Sequence, residues 1–421
     1  MSGKSELRIF DAALPQVVVE SGHFQDVYPE SSLAESNQTI CFYIPGSETE
    51  YLDLNDTLLS LRVKVLHSNG AKLDEANDKI YPIPNNYFMN ALFSDVTLSL
   101  NEIPVEGGGG THYPYKATIE TLLNFNDDAS RIQLLPAGVT ADETERIKWA
   151  KNSNEIELVG ALRLDFLNQP KYLLPGVSVR ITLTRSKPEF CLMGKSTSTS
   201  ATGGFMLSFT KAILYVRRVK VNPSVIKSHW AGLQKKNAVY PYLRSKTISF
   251  SIPTGTLTYF KENLFSSALL PKFIVIGLVS SASYSGSYAK AALEFKQFGL
   301  ASIALYRDGQ CVPYKREYEL SAKNVADAYT RSIIHQTNIF NKNLSNTIDM
   351  SDFKNNGCML FTFNLTPDFD LNSVQQRHDA NLRLDLRFGP ALTEAINVIV
   401  YGLFDAELQI TKDRRIIKDA H

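Results

Sequence analysis

A chain of 421 residues is well beyond the roughly 150 of an ordinary domain, so two or three folding units with a sizeable core are expected. Lys and Arg number 44 against 43 Asp and Glu, and a net charge of +1 with 21% charged residues leaves no global field to draw in polyanions, which excludes a dedicated nucleic-acid binder. A hydrophobic content of 44%, with 23 Phe and 19 Tyr, excludes wholesale disorder and suits broad, half-buried sheets.

Residues Met1 to Phe10 carry Lys4, Glu6 and Arg8 with no apolar stretch behind them, so no secretory signal is expected. No apolar window reaches the roughly 18 to 20 residues of a membrane span, and the longest, Leu269 to Val279, is broken by Pro271 and Lys272. Cys41, Cys191, Cys311 and Cys358 are far apart and form no Cys-x-x-Cys, which fits buried free thiols better than a disulfide framework or a zinc site. Without secretion, the sequons at Asn37, Asn55, Asn343 and Asn364 read as chance matches.

In chain order, alternating apolar and polar runs predict strands at Leu58 to Leu66, Asp95 to Leu100, Ile156 to Phe166, Val177 to Thr184, Leu207 to Val221 and Thr247 to Ile252. Further strands follow at Lys272 to Val279, Leu300 to Arg307, Met359 to Leu365, Leu382 to Phe388 and Ile396 to Ile410. Leu382, Leu384, Leu386 and Phe388 alternate with Arg383, Asp385 and Arg387, the signature of an antiparallel sheet with one wet face. Helices are few. Tyr115, Ile119, Leu122 and Leu123 share one helical face, as do Val325, Ala328, Tyr329 and Ile333, and a third helix is expected within Ser224 to Leu233. So many short strands predict an all-β protein of sandwiches or barrels.

An internal repeat divides the chain. Leu162-Arg163-Leu164-Asp165-Phe166 recurs as Leu382-Arg383-Leu384-Asp385-Leu386, and at the same spacing Pro170, Val179 and Leu183 match Pro390, Ile399 and Leu403. Upstream, Phe93, Val96, Leu98, Leu100 and Pro104 resemble Phe298, Ala301, Ile303, Leu305 and Pro313, each set followed by its short helix. Two similarly built β domains follow, residues 1–221 and 222–421, with 222–245 as a linker opened by Asn222-Pro223. Gly107 to Gly110 and Ser196 to Gly204 read as flexible loops, and Met1 to Val27 and Thr411 to His421 as arms reaching neighbours.

Tests for chemistry return little. Gly194-Lys195-Ser196 fails as a phosphate loop because Glu189 stands where its first glycine belongs. His23, His67, His112, His229, His335, His378 and His421 are scattered singly, with no metal-ligand spacing. Asp74-Glu75, Asp127-Asp128 and Asp142-Glu143 read as solvated loop charge, and Arg217-Arg218-Val219-Lys220 and Lys412-Asp413-Arg414-Arg415 as wet strand faces. No catalytic, cofactor-binding or metal residue is assigned, and the chain is read as a structural or binding protein, not an enzyme.

Several stretches carry a resemblance. They are Tyr113-Pro114-Tyr115-Lys116-Ala117-Thr118-Ile119-Glu120-Thr121-Leu122-Leu123, Tyr172-Leu173-Leu174-Pro175-Gly176-Val177, Arg185-Ser186-Lys187 with Phe190-Cys191-Leu192-Met193, Gly286-Ser287-Tyr288 with Leu305-Tyr306-Arg307-Asp308-Gly309-Gln310, and the segment Leu382 to Gln409. Together they resemble the major capsid proteins of Polinton (Maverick) elements and adintoviruses. The resemblance implies a double jelly-roll, two eight-stranded antiparallel sandwiches per chain. It also implies a homotrimer forming a pseudo-hexagonal capsomer of an icosahedral virion, with neighbouring capsomers and penton or minor capsid proteins as partners. No cofactor, no strong nucleic-acid binding and no membrane span go with it, and synthesis is expected in the host cytoplasm without a signal peptide. The alternative on composition is a tandem β-sandwich adhesive or carbohydrate-binding protein, against which stand only 2 Trp and no calcium motif. A sandwich-fold glycoside hydrolase ranks third.

Overall fold

The structure is a computed structural model and describes residues 18–74, 80–107, 112–196, 204–265, 269–321, 325–337, 348–368, 371 and 379–418. The N-terminal half contributes β1 (Val19–Val27), β2 (Thr39–Ile44), β3 (Glu50–His67), β4 (Ile80–Pro84), β5 (Phe93–Leu100), β6 (Ile103–Glu106), β7 (Ile156–Ala161), β8 (Val179–Arg185), β9 (Leu192–Ser196) and β10 (Phe205–Val221). The C-terminal half contributes β11 (Ala238–Ile252), β12 (Thr258–Lys261), β13 (Phe273–Ser280), β14 (Leu300–Arg307), β15 (Gln310–Val312), β16 (Tyr318–Glu319), β17 (Leu360–Asn364), β18 (Leu382–Phe388), β19 (Ile396–Ile410) and β20 (Ile416–Lys418).

Two sheets, ordered β1-β10-β3-β7 and β2-β8-β5-β6, make the first sandwich, and β11-β19-β13-β17 with β12-β18-β14-β15 make the second. Leaving out β4 and β9, which pair with each other, and β16 and β20, which attach to β14 and β19, each half has eight strands in one order. The first, eighth, third and sixth form one sheet, and the second, seventh, fourth and fifth form the other. Every pairing is antiparallel. This is the jelly-roll order, made twice. The tight hairpins between the fourth and fifth strands agree in chemistry as well. Asn101-Glu102 and Asp308-Gly309 all take positive φ (45°, 64°, 49° and 84°), the left-handed pair whose twist suits a two-residue hairpin.

The duplication is therefore real, but its register is not the one that the recurring Leu-Arg-Leu-Asp motif suggests. Leu382–Phe388 is β18, a seventh strand, whose counterpart by sheet order is β8 (Val179–Arg185). Leu162 to Phe166 lies beyond the end of β7 and forms no strand. The backbone donors that a strand would send across a ladder go elsewhere: the N–H groups of Asp165 and Phe166 donate to the two oxygens of the Glu106 carboxylate, at 2.9 and 3.2 Å. The upstream match holds, since β5 and β14 are both fourth strands.

Three other expectations are corrected. Residues 222–245 hold the expected helix, Pro223–Leu233, but from Ala238 they are already β11, paired with β19 along its whole length. Val19–Val27 is not an arm but the outer strand of the first sandwich, paired with β10. Strands β2, β6, β12 and β15 escape periodicity analysis because they are short. Gly108 to Gly110, Glu75, Asn343, His378, His421, Met1 to Val17 and Thr197 to Gly203 lie outside the described residues.

The two sandwiches are buried differently. In β3 the outward residues Arg62, Lys64 and Leu66 are half-exposed, whereas every residue of β13 and β17 and the first nine of β19 are buried. A strand buried on both faces reads as a continuous apolar run, as Phe273-Ile274-Val275-Ile276 does. Aromatic rings lie directly on this sheet: a Cβ at Gly277 would come 2.3 Å from Phe295 Cδ1, and one at Gly402 would come 2.5 Å from Phe265 Cζ. The β11-β19-β13-β17 sheet of the second sandwich is thus covered on both faces.

Candidate functional site

The helix Tyr113–Asn124 follows the β5–β6 hairpin, starts with Pro114 in its first turn, and is buried from Tyr113 through Leu123. A helix buried all round must place its charged residues against partners. It has two, Lys116 and Glu120, one turn apart. The Lys116 ammonium donates to Glu106, lies 2.9 Å from Asp165 Oδ1 and 4.0 Å from Glu120 Oε1. Asp165 in turn accepts from the Ser245 N–H of β11 at 2.6 Å and from its hydroxyl at 2.8 Å. The Tyr401 hydroxyl of β19 donates to Glu120 Oε1 at 3.0 Å. Glu106, Lys116, Glu120 and Asp165 belong to the first half, Ser245 and Tyr401 to the second. The cluster is the polar centre of the junction between the sandwiches.

Its electrostatics are governed by burial. Three carboxylates share one ammonium out of water, so burial first, and then the Asp165 charge, raise Glu106 to about 7 against the pull of Lys116. Burial likewise raises Glu120 to about 7, with Lys116 opposing and Asp165 adding to the rise. For Lys116, burial acts to lower the affinity for the proton, but Asp165, Glu106 and Glu120 outweigh it and hold the ammonium well above its ordinary value. Burial and the Glu120 charge push Tyr401 far up as well. At neutral pH Lys116 is charged and Tyr401 is a neutral phenol, so neither is a general base or nucleophile.

Apolar contacts surround the cluster. The Tyr115 ring stacks on Tyr284 at 5.7 Å and meets Phe295 edge-on at 6.2 Å, while its hydroxyl donates to the Ala292 carbonyl at 3.2 Å. Phe166 meets Tyr242 edge-on at 5.4 Å and Tyr240 at 6.0 Å. Each such pair is worth about 0.5–1.5 kcal/mol beyond its burial. The outer edge of β11, which would otherwise expose strand donors and acceptors, is covered by Asp165 at Ser245 and by the Lys171 ammonium, which donates to the Val239 carbonyl at 2.9 Å. The C-terminal strand adds a second tie. Arg414 donates to the Pro175 carbonyl at 2.7 Å and lies over the Trp230 ring at 5.2 Å, and Lys418 donates to the Pro104 carbonyl at 2.7 Å. Thr411 to Lys418, read as an arm, is docked on the first half.

The residues weighed for chemistry are spent on structure. Arg217 is held by Asp53 and Asp56 at 2.9 and 2.7 Å, Arg218 donates to the Pro45 carbonyl, and Lys220 faces Glu20 at 3.6 Å, so the basic run is a strand neutralised by its own neighbours. Asp142 caps the helix Glu143–Ala150. His229 Nδ1 lies 2.6 Å from the Tyr51 hydroxyl, His112 Nε2 lies 3.1 Å from Ser249 Oγ, and His67 stacks on Phe205. Among the described residues no group of three or more His, Cys, Asp or Glu is placed to hold a metal ion. The four cysteines are free; Cys191 is fully buried and the others are half-buried. Among the described residues no helix is long and apolar enough to cross a membrane.

Comparison with known proteins gives this architecture a class. Solved structures with the same fold include the Faustovirus major capsid protein (9% identity, TM-score 0.63, covering 96% of this chain and 92% of that one). The mavirus major capsid protein is similar at 13% identity and TM-score 0.58, over 98% and 93% of the two chains. PBCV-1 VP54, fitted into a reconstruction of the virophage Sputnik, aligns at 10% identity and TM-score 0.61 over 98% and 99%. The chain has the double jelly-roll fold of these capsid proteins. No protein-family model matches it. In sequence it is 24% identical over 398 residues to an uncharacterized protein of Caenorhabditis elegans, covering 90% of this chain and 93% of that protein.

Proposed function

We propose that the chain is a major capsid protein whose copies associate as homotrimers, six jelly rolls to a pseudo-hexagonal capsomer, and that capsomers tile an icosahedral shell. The observation that carries this reading is the duplicated sandwich itself, two jelly rolls of identical strand order locked side by side by a buried junction. One chain thereby presents two similar lateral units, and threefold association gives six near-equivalent edges suited to a hexagonal lattice. The units are residues 1–221 and 222–421. The likeness to capsid proteins of large DNA viruses and a virophage supports the role, and the sequence resemblance supports the Polinton (Maverick) and adintovirus lineage in particular. A counterpart in a nematode fits a capsid gene carried in an animal genome. On this reading the protein resides in the virion, is made in the host cytoplasm, and meets penton or minor capsid proteins at the shell. Light scattering on a sizing column tests it: the expected particle has three times the 47.0 kDa mass of the chain, and a monomer at every concentration and pH overturns the proposal.

A further inference from the structure

The internal repeat makes the two outer sheet faces comparable, and among the described residues only one of them is covered. In the second sandwich the face built by β11, β19 and β13 lies under the helix Tyr113–Asn124 and the segment around Asp165 of the first sandwich, through Tyr401–Glu120, Ser245–Asp165 and His112–Ser249. The corresponding face of the first sandwich, β1-β10-β3-β7, shows no such cover among the described residues. Phe24 is 56% exposed and Leu58 37% exposed; Tyr215, opposite Leu58 in the ladder, is half-buried, and Ala161, opposite it on β7, is exposed. Ala161, Leu58 and Tyr215 stand side by side across β7, β3 and β10, and on β1 the row ends at the exposed Asp26 with Phe24 next to it, opposite Arg217. β1, the counterpart of β11, pairs with β10 alone among the described strands.

The complementary element is open too. The helix Ala326–Thr337 follows the β14–β15 hairpin, as Tyr113–Asn124 follows β5–β6, and packs by Ala328, Arg331 and Ser332 on its own sandwich. Unlike Tyr113–Asn124, which is enclosed on all sides, it leaves Ala326, Asp327 and Thr330 exposed. Among the described residues the chain thus carries an occupied helix-on-sheet junction in its middle, an uncovered sheet in one sandwich and, in the other, a helix whose first turns are exposed. An open receptor and an open insert of one repeated junction are what head-to-tail association leaves on a single copy.

We infer that the β1-β10-β3-β7 face of one copy receives the helix Ala326–Thr337 of a second copy, repeating between chains the junction that joins the two sandwiches within one. The inference rests on the proposed self-assembly and names the surfaces that perform it. Because the contact is heterologous, each copy uses both surfaces, and successive copies turn in one sense and close into a ring.

The test uses full-length chains carrying Leu58→Arg on the sheet or Thr330→Arg on the helix, both at exposed positions, with Phe24→Glu as a second sheet variant should Leu58→Arg lose its native circular dichroism. Each folded variant alone is expected to run as a single 47.0 kDa chain. An equimolar mixture of the sheet and helix variants is expected to give a two-chain species, since one intact sheet and one intact helix remain to meet. Wild-type mass retained by either folded variant overturns this interface while leaving self-assembly standing. Variants that stay monomeric when mixed also overturn it, because they exclude a head-to-tail contact. A wild-type chain that never associates removes the self-assembly reading along with it.

Discussion

Replacing Lys116 with methionine keeps the length of the side chain and removes the ammonium that Glu106, Glu120 and Asp165 share. Breaking a buried ion pair by deleting one partner costs roughly 3–5 kcal/mol, because the remaining charge is left in a medium that cannot solvate it. Here the remaining charges have an escape: Glu106 and Glu120 are already raised to about 7, so they take up protons readily. A carboxyl whose folded affinity for the proton exceeds its unfolded one binds more protons in the native state, so native stability is highest at low pH and falls as pH rises from the ordinary carboxylate range through about 7. Lys116→Met pushes that window further up and deepens it. The loss is expected to be roughly 3–5 kcal/mol at pH 8 and to shrink to about 1–2 kcal/mol at pH 5, where Glu106 and Glu120 are neutral. At about 2–4 °C per kcal/mol for a unit of this size, the melting temperature drops by roughly 6–20 °C at pH 8 and by only a few degrees at pH 5. Calorimetric or circular-dichroism melts of both proteins across this range are the assay. Equal losses at pH 5 and pH 8, or a loss under about 1 kcal/mol at pH 8, would refute the reasoning.

Other consequences follow from the same geometry. Tyr401→Phe deletes the donor to Glu120 and is expected to cost about 1–3 kcal/mol in denaturant unfolding at neutral pH, with less cost at pH 5. Gly277→Val drives a side chain into the fully buried Phe295 ring and should destabilise the second sandwich by about 1–3 kcal/mol or prevent its folding; a neutral effect in thermal melts would contradict the packing. Arg414→Ala loses the stack on Trp230 and the tie to Pro175, and about 0.5–2 kcal/mol of stability with them, while tryptophan fluorescence reports the change at the ring. Cys191, wholly buried with its thiol pushed far up by burial, should react with a thiol reagent only on unfolding, and prompt native-state labelling would show that its surroundings are open.

Much of the architecture was legible in the sequence because strands leave a short-range signal. Leu382 to Phe388 and Leu300 to Arg307 alternate or run apolar over enough residues to declare themselves, and both are strands within those bounds. The duplication was legible for the fourth strands, where Phe93 to Leu100 and Leu300 to Arg307 take the same place in their sheets. It was misread at Leu162 to Phe166, because alternation records which residues are buried and not what their backbone bonds to; the Glu106 carboxylate takes those bonds, and it lies 59 and 60 positions away from the two donors. The junction was hidden for a related reason. Lys116 and Glu120 stand one turn apart as a surface pair would, and only the apolar character of the rest of that helix hinted that both are buried. Their partners Ser245 and Tyr401 are brought in by the second sandwich, over distances in the chain that no local pattern records.

The central claim, that this chain builds a shell, is tested most directly by electron microscopy of the purified protein under conditions that promote assembly. Pseudo-hexagonal capsomers are expected, each with three pairs of density lobes, packed into sheets or closed icosahedral shells. Well-folded protein that shows only isolated single chains, with neither capsomers nor lattices across the conditions tried, would contradict it.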